Sequence, residues 1–124
     1  MEGDRMNTLI LVLEQMDFND LDIDDLLDNR GLAVFDTEWI RVYNVVESLK
    51  NEGNYSEEEN KNNTKLREQV FQMIYEFTND SDLAGYVSDD FGLISDARLL
   101  GYNDLWLDKM VACYEKGSIP CGSL

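Results

Sequence analysis

The sequence predicts an all-α fold, a compact bundle of about six or seven helices with a C-terminal helical hairpin. Apolar residues recur at three- and four-residue spacing along most of the chain, and no window of more than a few residues alternates with period two. The single Pro and most of the eight Gly fall between the periodic segments, where helices stop. A chain of 124 residues, 44% apolar and 29% charged, suits one globular domain over residues 1–124 and argues against wholesale disorder.

The elements follow in order. Thr8 to Met16 is short and strongly apolar. Thr8 as an N-cap and the following Glu14-Gln15 favour a helix over a buried strand, with Met1–Arg5 a frayed start. Asp20 to Arg30 is the second helix, closed by Gly31. In the third, Asp36 caps, Trp39, Val42, Tyr43, Val46 and Leu49 recur at helical spacing, and Gly53 ends the run. The stretch Asn51–Asn63, which includes Asn54, is a polar break. Within it Ser56-Glu57-Glu58-Glu59 has capping-box spacing, so the next helix begins there or near Thr64. Leu66, Val70, Phe71, Met73, Ile74 and Phe77 give that helix a wide apolar stripe. A brief helix over Asp80–Val87 comes next, then one capped by Ser88 over Asp89–Leu100 and ended by Gly101. Asn103 caps a last helix, Asp104–Lys116, which Gly117 terminates. Ser118–Cys121 is a tail or docking segment. The Ser88–Gly117 hairpin has the length of a helical repeat unit, but no second copy is visible.

Charge narrows the function. Twenty-six Asp and Glu against ten Lys and Arg give −16, which repels nucleic acid phosphates and anionic lipid and leaves neither as a direct ligand. There is no His, which removes Ser–His and Cys–His nucleophile pairs and histidine metal sites. Two Cys are too few for a disulfide framework, and no apolar run is long enough for a membrane span or a secretory leader. The expectation is a cytoplasmic protein without cofactor. Cys113 sits on an apolar stripe with Leu107, Met110, Val111 and Tyr114 and reads as a plain thiol, and Cys121 can fold back toward it. Twenty-six acids make many carboxylate pairs, but nothing in the sequence builds a cleft or a sugar platform around them, so no enzyme is expected.

The acids are not evenly spread. In the first cluster, Asp17, Asp20, Asp24 and Asp28 fall near one face if the segment is helical, and like charges at that spacing repel by a few tenths of a kcal/mol each. A cationic partner would relieve this. Alternatively, the leading aspartates simply favour the helix dipole on a solvated face. Asp20, Asp22 and Asp24 mimic the first ligands of a calcium loop, but Asp25 stands where Gly is required and Gly31 where Glu is required. The second cluster holds Asp80, Asp82, Asp89, Asp90, Asp96, Asp104 and Asp108, with Tyr86, Phe91, Tyr102 and Trp106 among them. Aromatic anchors within a charged rim are what protein interfaces use. Phe91 and Trp106 lie on apolar stripes and are expected in the core, whereas Tyr86 and Tyr102 are expected at the surface. The candidate partner-binding residues are therefore Asp20, Asp24, Asp28, Asp82, Tyr86, Asp89, Asp90, Tyr102 and Asp104.

The last third carries a resemblance. Tyr86-Val87-Ser88-Asp89-Asp90-Phe91-Gly92-Leu93-Ile94, then Gly101-Tyr102-Asn103-Asp104-Leu105-Trp106-Leu107 and Gly117-Ser118-Ile119-Pro120-Cys121, resembles small helical immunity proteins of bacterial toxin–immunity loci, those of contact-dependent growth inhibition and other polymorphic toxins. The resemblance implies a cytoplasmic inhibitor that binds a cognate toxin domain, often a basic nuclease, and blocks its active site; a monomer in a 1:1 complex is the expected stoichiometry. The resemblance transfers no individual contact residue. Two other readings stay open: a nucleic-acid mimic that inhibits a DNA- or RNA-binding enzyme, and a plain acidic adaptor. Mimicry needs carboxylates at phosphate-like intervals along an elongated surface, and two confined clusters fit the plugging of a basic cleft better.

Overall fold

A computed structural model describes residues 2–53 and 55–124. Met1 and Asn54 lie outside it, as do the side chains of residues 2–5. All regular structure among the described residues is helical: α1 (Glu2–Gln15), α2 (Ile23–Arg30), α3 (Ala33–Glu52), α4 (Glu57–Thr78), α5 (Ser81–Leu99) and α6 (Leu105–Glu115). No helix among them is long and apolar enough to cross a membrane.

Most helix ends obey local capping chemistry. The capping box at α4 is complete: Ser56 Oγ accepts from the Glu59 amide at 3.1 Å, and the Ser56 amide donates to Glu59 Oε1 at 3.2 Å. Asp22 caps α2 by accepting from the Asp25 amide at 3.1 Å, so the helix starts at Ile23 and Asp20 stays in the preceding turn. The expectation that Asp17, Asp20, Asp24 and Asp28 share a helical face therefore fails; only Asp24 and Asp28 lie on the helix. Helix α1 begins well before Thr8, because Met6 belongs to the same buried stripe as Leu9, Ile10 and Leu13. Thr8 is mid-helix and exposed, and of the expected frayed start Glu2–Arg5 is helical while Met1 lies outside the described residues. Helix α3 likewise begins at Ala33, which makes Asp36 a first-turn residue rather than the cap.

The largest departure is α5, one continuous helix where the sequence suggests two. The Ser88 hydroxyl donates to the Gly85 carbonyl at 2.9 Å instead of capping a new helix. Gly92 is a packing glycine, since a Cβ there would stand 2.6 Å from Arg67 Cδ and 2.9 Å from its Cγ. Asn79, in the left-handed region at φ 57°, ends α4, and Asp80 caps α5 by accepting from the Leu83 amide at 2.9 Å. A link this short folds α5 back on α4, and these two make the most intimate helix pair in the molecule. Helix α5 also packs on α1, α2 and α3, and its Leu83, Ala84, Val87, Phe91, Ile94 and Ala97 are wholly buried. It is apolar on several sides because it has neighbours on several sides.

Helix α6 rests on α1 and meets α5 edge-on through Tyr114 and Phe91, whose ring centroids are 5.0 Å apart. Phe91 is core as expected, and Trp106 is half-buried with its ring edge-on to Phe35 at 5.1 Å. Beyond α6 the tail docks. Ile119 is buried, the Pro120 carbonyl accepts from Arg30 Nη1 at 3.2 Å, and the Gly122 amide donates to the Asn29 carbonyl at 3.2 Å. Cys113 and Cys121 are half-buried free thiols, and burial pushes the Cys121 thiol up.

Candidate partner-binding cleft

The floor of the site is an ion pair inside the bundle. Arg30 ends α2 and is 4% exposed, while Asp90 on α5 is 0% exposed. The guanidinium grips both carboxylate oxygens, Nη1 to Oδ2 at 2.6 Å and Nη2 to Oδ1 at 2.8 Å. Trp39 Nε1 donates to Asp90 Oδ1 at 2.8 Å and the Tyr114 hydroxyl donates to Oδ2 at 2.5 Å, so one carboxylate ties α2, α3, α5 and α6 together. The Arg30 guanidinium also lies over the rings of Phe35 at 4.2 Å and Tyr86 at 5.0 Å. Burial alone would lower the Arg30 pKa, but the Asp90 carboxylate outweighs it and the net shift is upward. Burial, reinforced by Asp90, holds the Tyr114 phenol well above its ordinary value.

This corrects one expectation. Asp90 reads as a partner-facing acid, but four donors fill its carboxylate and it is closed to solvent. Its neighbour Asp89 points the other way. Asp89 is exposed, makes no hydrogen bond or ion pair among the described residues, and has a pKa raised by partial burial and by the adjacent Asp90.

Asp82, Tyr86 and Asp89 are exposed and spaced i, i+4, i+7, so they share one face of α5. Helix α3 presents the same pattern opposite, with exposed Asp36, Ile40 and Tyr43 at i, i+4, i+7 and half-buried Glu47 one turn on. Between them lies a cavity of about 180 Å³ lined by Arg30, Phe35, Asp36, Trp39, Ile40, Tyr86 and Asp89. Through Trp39 and Asp89 it continues into a larger groove of about 490 Å³ between α3, α4 and α5. The Trp39 ring stacks on Tyr43, with centroids 5.5 Å apart, which steadies the floor between the two hollows.

The far end of the groove is a second polar cluster. Asp96 accepts from Asn63 Nδ2 at 2.9 Å and from the Tyr55 hydroxyl at 2.6 Å, and pairs with Lys50 at 2.7 Å. Burial and the Asp96 carboxylate both push the Tyr55 phenol up. Burial would lower Lys50, but Asp96 and Glu47 hold it above its ordinary value.

The other expected site residues lie elsewhere. Asp104 caps α6 by accepting from the Leu107 amide at 3.0 Å and pairs with Arg41 at 2.8 Å. Arg41 thereby holds the Asp104 carboxyl below the usual carboxylate range. Tyr102 is half-buried, and its hydroxyl donates to Asp104 at 3.3 Å. Asp24 and Asp28 are exposed one turn apart on α2, with Asp20 exposed in the turn before it. The second acidic cluster thus divides into a rim (Asp82, Asp89), two buried, paired carboxylates (Asp90, Asp96), a helix cap (Asp80), an inter-helix tie (Asp104) and exposed Asp108 on α6. Sequence reasoning missed Asp36, Ile40 and the surface role of Tyr43. The signal was present, because the buried stripe of α3 runs through Phe35, Val42 and Val46, and Ile40 and Tyr43 lie off it.

A family model for immunity protein PIM1 matches residues 6–121, most of the chain. The chain belongs to the PIM1 immunity protein family. The match takes in α2 and α3 as well as the last third that carries the sequence resemblance, so both walls of the cleft fall within the family's span. A search of curated proteins found no match.

Proposed function

We propose that this member of the PIM1 family neutralises a cognate toxin domain in the cytoplasm by binding it 1:1 across the α3–α5 cleft and covering its active site. The carrying observation is the pair of facing helices that present Asp36 and Ile40 against Tyr86 and Asp89 around an open cavity, with Tyr43 in the adjoining groove and exposed Asp82 one turn along the same face of α5. Exposed aromatic anchors supply buried area on binding, and the unpaired carboxylates supply orientation. The net charge of −16 favours a basic partner, and a nuclease, which must hold phosphates, has such a surface. Asp20, Asp24 and Asp28 then form a secondary patch that steers the approach without entering the cleft, and Tyr102 and Asp104 border the contact.

The test is co-expression with the toxin domain encoded beside this chain, together with binding measured at low and physiological salt. Asp82→Asn with Asp89→Asn, and separately Tyr86→Ala, should weaken binding by tenfold or more, a loss of about 1.4 kcal/mol. Glu57→Gln with Glu58→Gln removes the same charge at the exposed start of α4 and should cost less than threefold. Glu59 is unsuitable as a control, since it closes the capping box. Equal losses from all the charge variants would reduce the interaction to bulk charge and remove the cleft from it.

A further inference from the structure

The cavity between α3 and α5 is specific in its chemistry, and this inference rests on the proposed function for the protein that supplies its occupant. We infer that it is a socket for one arginine side chain presented by the protein partner. Three aromatic rings line it, those of Phe35, Trp39 and Tyr86, and Ile40 completes the apolar wall. Two carboxylates enter from opposite sides, Asp36 from α3 and Asp89 from α5, and neither has a hydrogen bond or ion pair among the described residues.

A volume of about 180 Å³ admits a single side chain and no helix or strand. The charge balance favours a cation. Arg30 contributes a positive charge at the floor, but it is paired with Asp90 at 2.6 and 2.8 Å, and neither Asp36 nor Asp89 has an ion-pair partner among the described residues. Arg67, the cation acting on Asp89 from α4, makes no ion pair with it: its Nε donates to Asn63 at 2.8 Å and its Nη2 to Thr64 at 3.3 Å. Arginine fits better than lysine for two reasons. Its flat, weakly hydrated guanidinium stacks on aromatic faces, and its fork of donors reaches two carboxylates at once. The site already holds one guanidinium this way: Arg30 lies between Phe35 and Tyr86 at 4.2 and 5.0 Å from their centroids. A second guanidinium on the open side would extend that stack.

The first experiment is an NMR titration of the full chain with N-acetyl-arginine methylamide, reading the Trp39 indole N–H and the Tyr86 ring. Saturable shifts are expected with a Kd of order 1–10 mM, as befits one isolated side chain. The lysine counterpart should bind at least threefold more weakly, and Asp36→Asn with Asp89→Asn should abolish saturation. Both substitutions are on exposed side chains, so folding is checked simply by an unchanged helical spectrum. Linear, equal shifts with both amides, unaltered in the double variant, would overturn the socket. The second experiment replaces each surface arginine of the toxin by lysine. One of these should cost about tenfold in affinity against the wild-type chain and almost nothing against the double variant. If the toxin binds wild type and double variant equally well while Tyr86→Ala still weakens binding, the socket falls and binding across the cleft stands. If the arginine amide saturates the cavity but no toxin is neutralised, the socket stands and the proposed function falls.

Discussion

Asp89 and Asp90 are neighbours in the chain and opposites in the fold. Asp90 faces inward and receives Arg30, Trp39 and Tyr114; Asp89 faces the cleft and receives nothing. The inner side of α5 spends its carboxylate on holding four helices in register, and the outer side leaves its carboxylate free for another molecule. On the proposed function one helix thus serves both stability and recognition, separated by the 100° turn between consecutive residues. The division predicts that the two sides respond with opposite signs to the same chemistry.

The sharpest break is Asp90→Ala. It leaves the Arg30 charge buried with only the Pro120 carbonyl as acceptor, and should cost about 3–5 kcal/mol in urea unfolding. A loss below about 1 kcal/mol would mean the knot does not organise the bundle. Tyr114→Phe removes one donor from Asp90 while keeping the ring against Phe91, and should cost about 1–2 kcal/mol in the same assay. Gly92→Ala forces Arg67 off its contact with Asn63. Overpacking of about 1–3 kcal/mol exceeds the helix-propensity gain of about 1 kcal/mol, so a lower Tm is expected.

The smallest effect carries the opposite sign. Asp89 has a raised folded pKa, so the native state holds its proton more tightly than the unfolded chain does. Its contribution to stability falls as pH rises through the ordinary carboxylate range toward that raised value. Asp89→Asn should therefore leave the neutral-pH protein unchanged or slightly more stable, by up to about 0.5 kcal/mol, while weakening toxin binding. Asp104 runs the other way. Its depressed pKa contributes stability that is present above the unfolded value of about 3.9 and lost as pH falls through the folded value. Unfolding followed across the acid range in Asp104→Asn should show that slope removed.

The helical class and the capping box at Ser56 were legible because both depend on residues close in sequence. The continuity of α5 was not, because Ser88 and Gly92 look like breaks until Arg67 is seen occupying the space above Gly92. The fates of Asp89 and Asp90 were likewise hidden. Nothing local separates two adjacent aspartates, and the residue that decides between them, Arg30, lies 60 positions away. Tyr86 and Tyr102 are both read as exposed from places near helix ends; Tyr86 is exposed although it lies within α5, and Tyr102 is half-buried. The partners of Tyr86 across the cleft were obscured because Ile40 and Tyr43 look like further core residues on a helix that already has a buried stripe.

The docking of the tail against Arg30 has a consequence for synthesis on the ribosome. Helices α4 and α5 are adjacent in sequence and can pair early, as soon as both have emerged. The knot cannot be completed so soon. Tyr114 and the Pro120 carbonyl are delivered only after α5, roughly 1–4 s later at ~5–20 residues per second. During that interval Arg30 lacks one of its acceptors and Asp90 one of its donors, and the floor of the cleft is not yet set. The α4–α5 hairpin can therefore form before the floor of the cleft is set, and the cleft is complete only once the residues through Pro120 are free of the ribosome and docked.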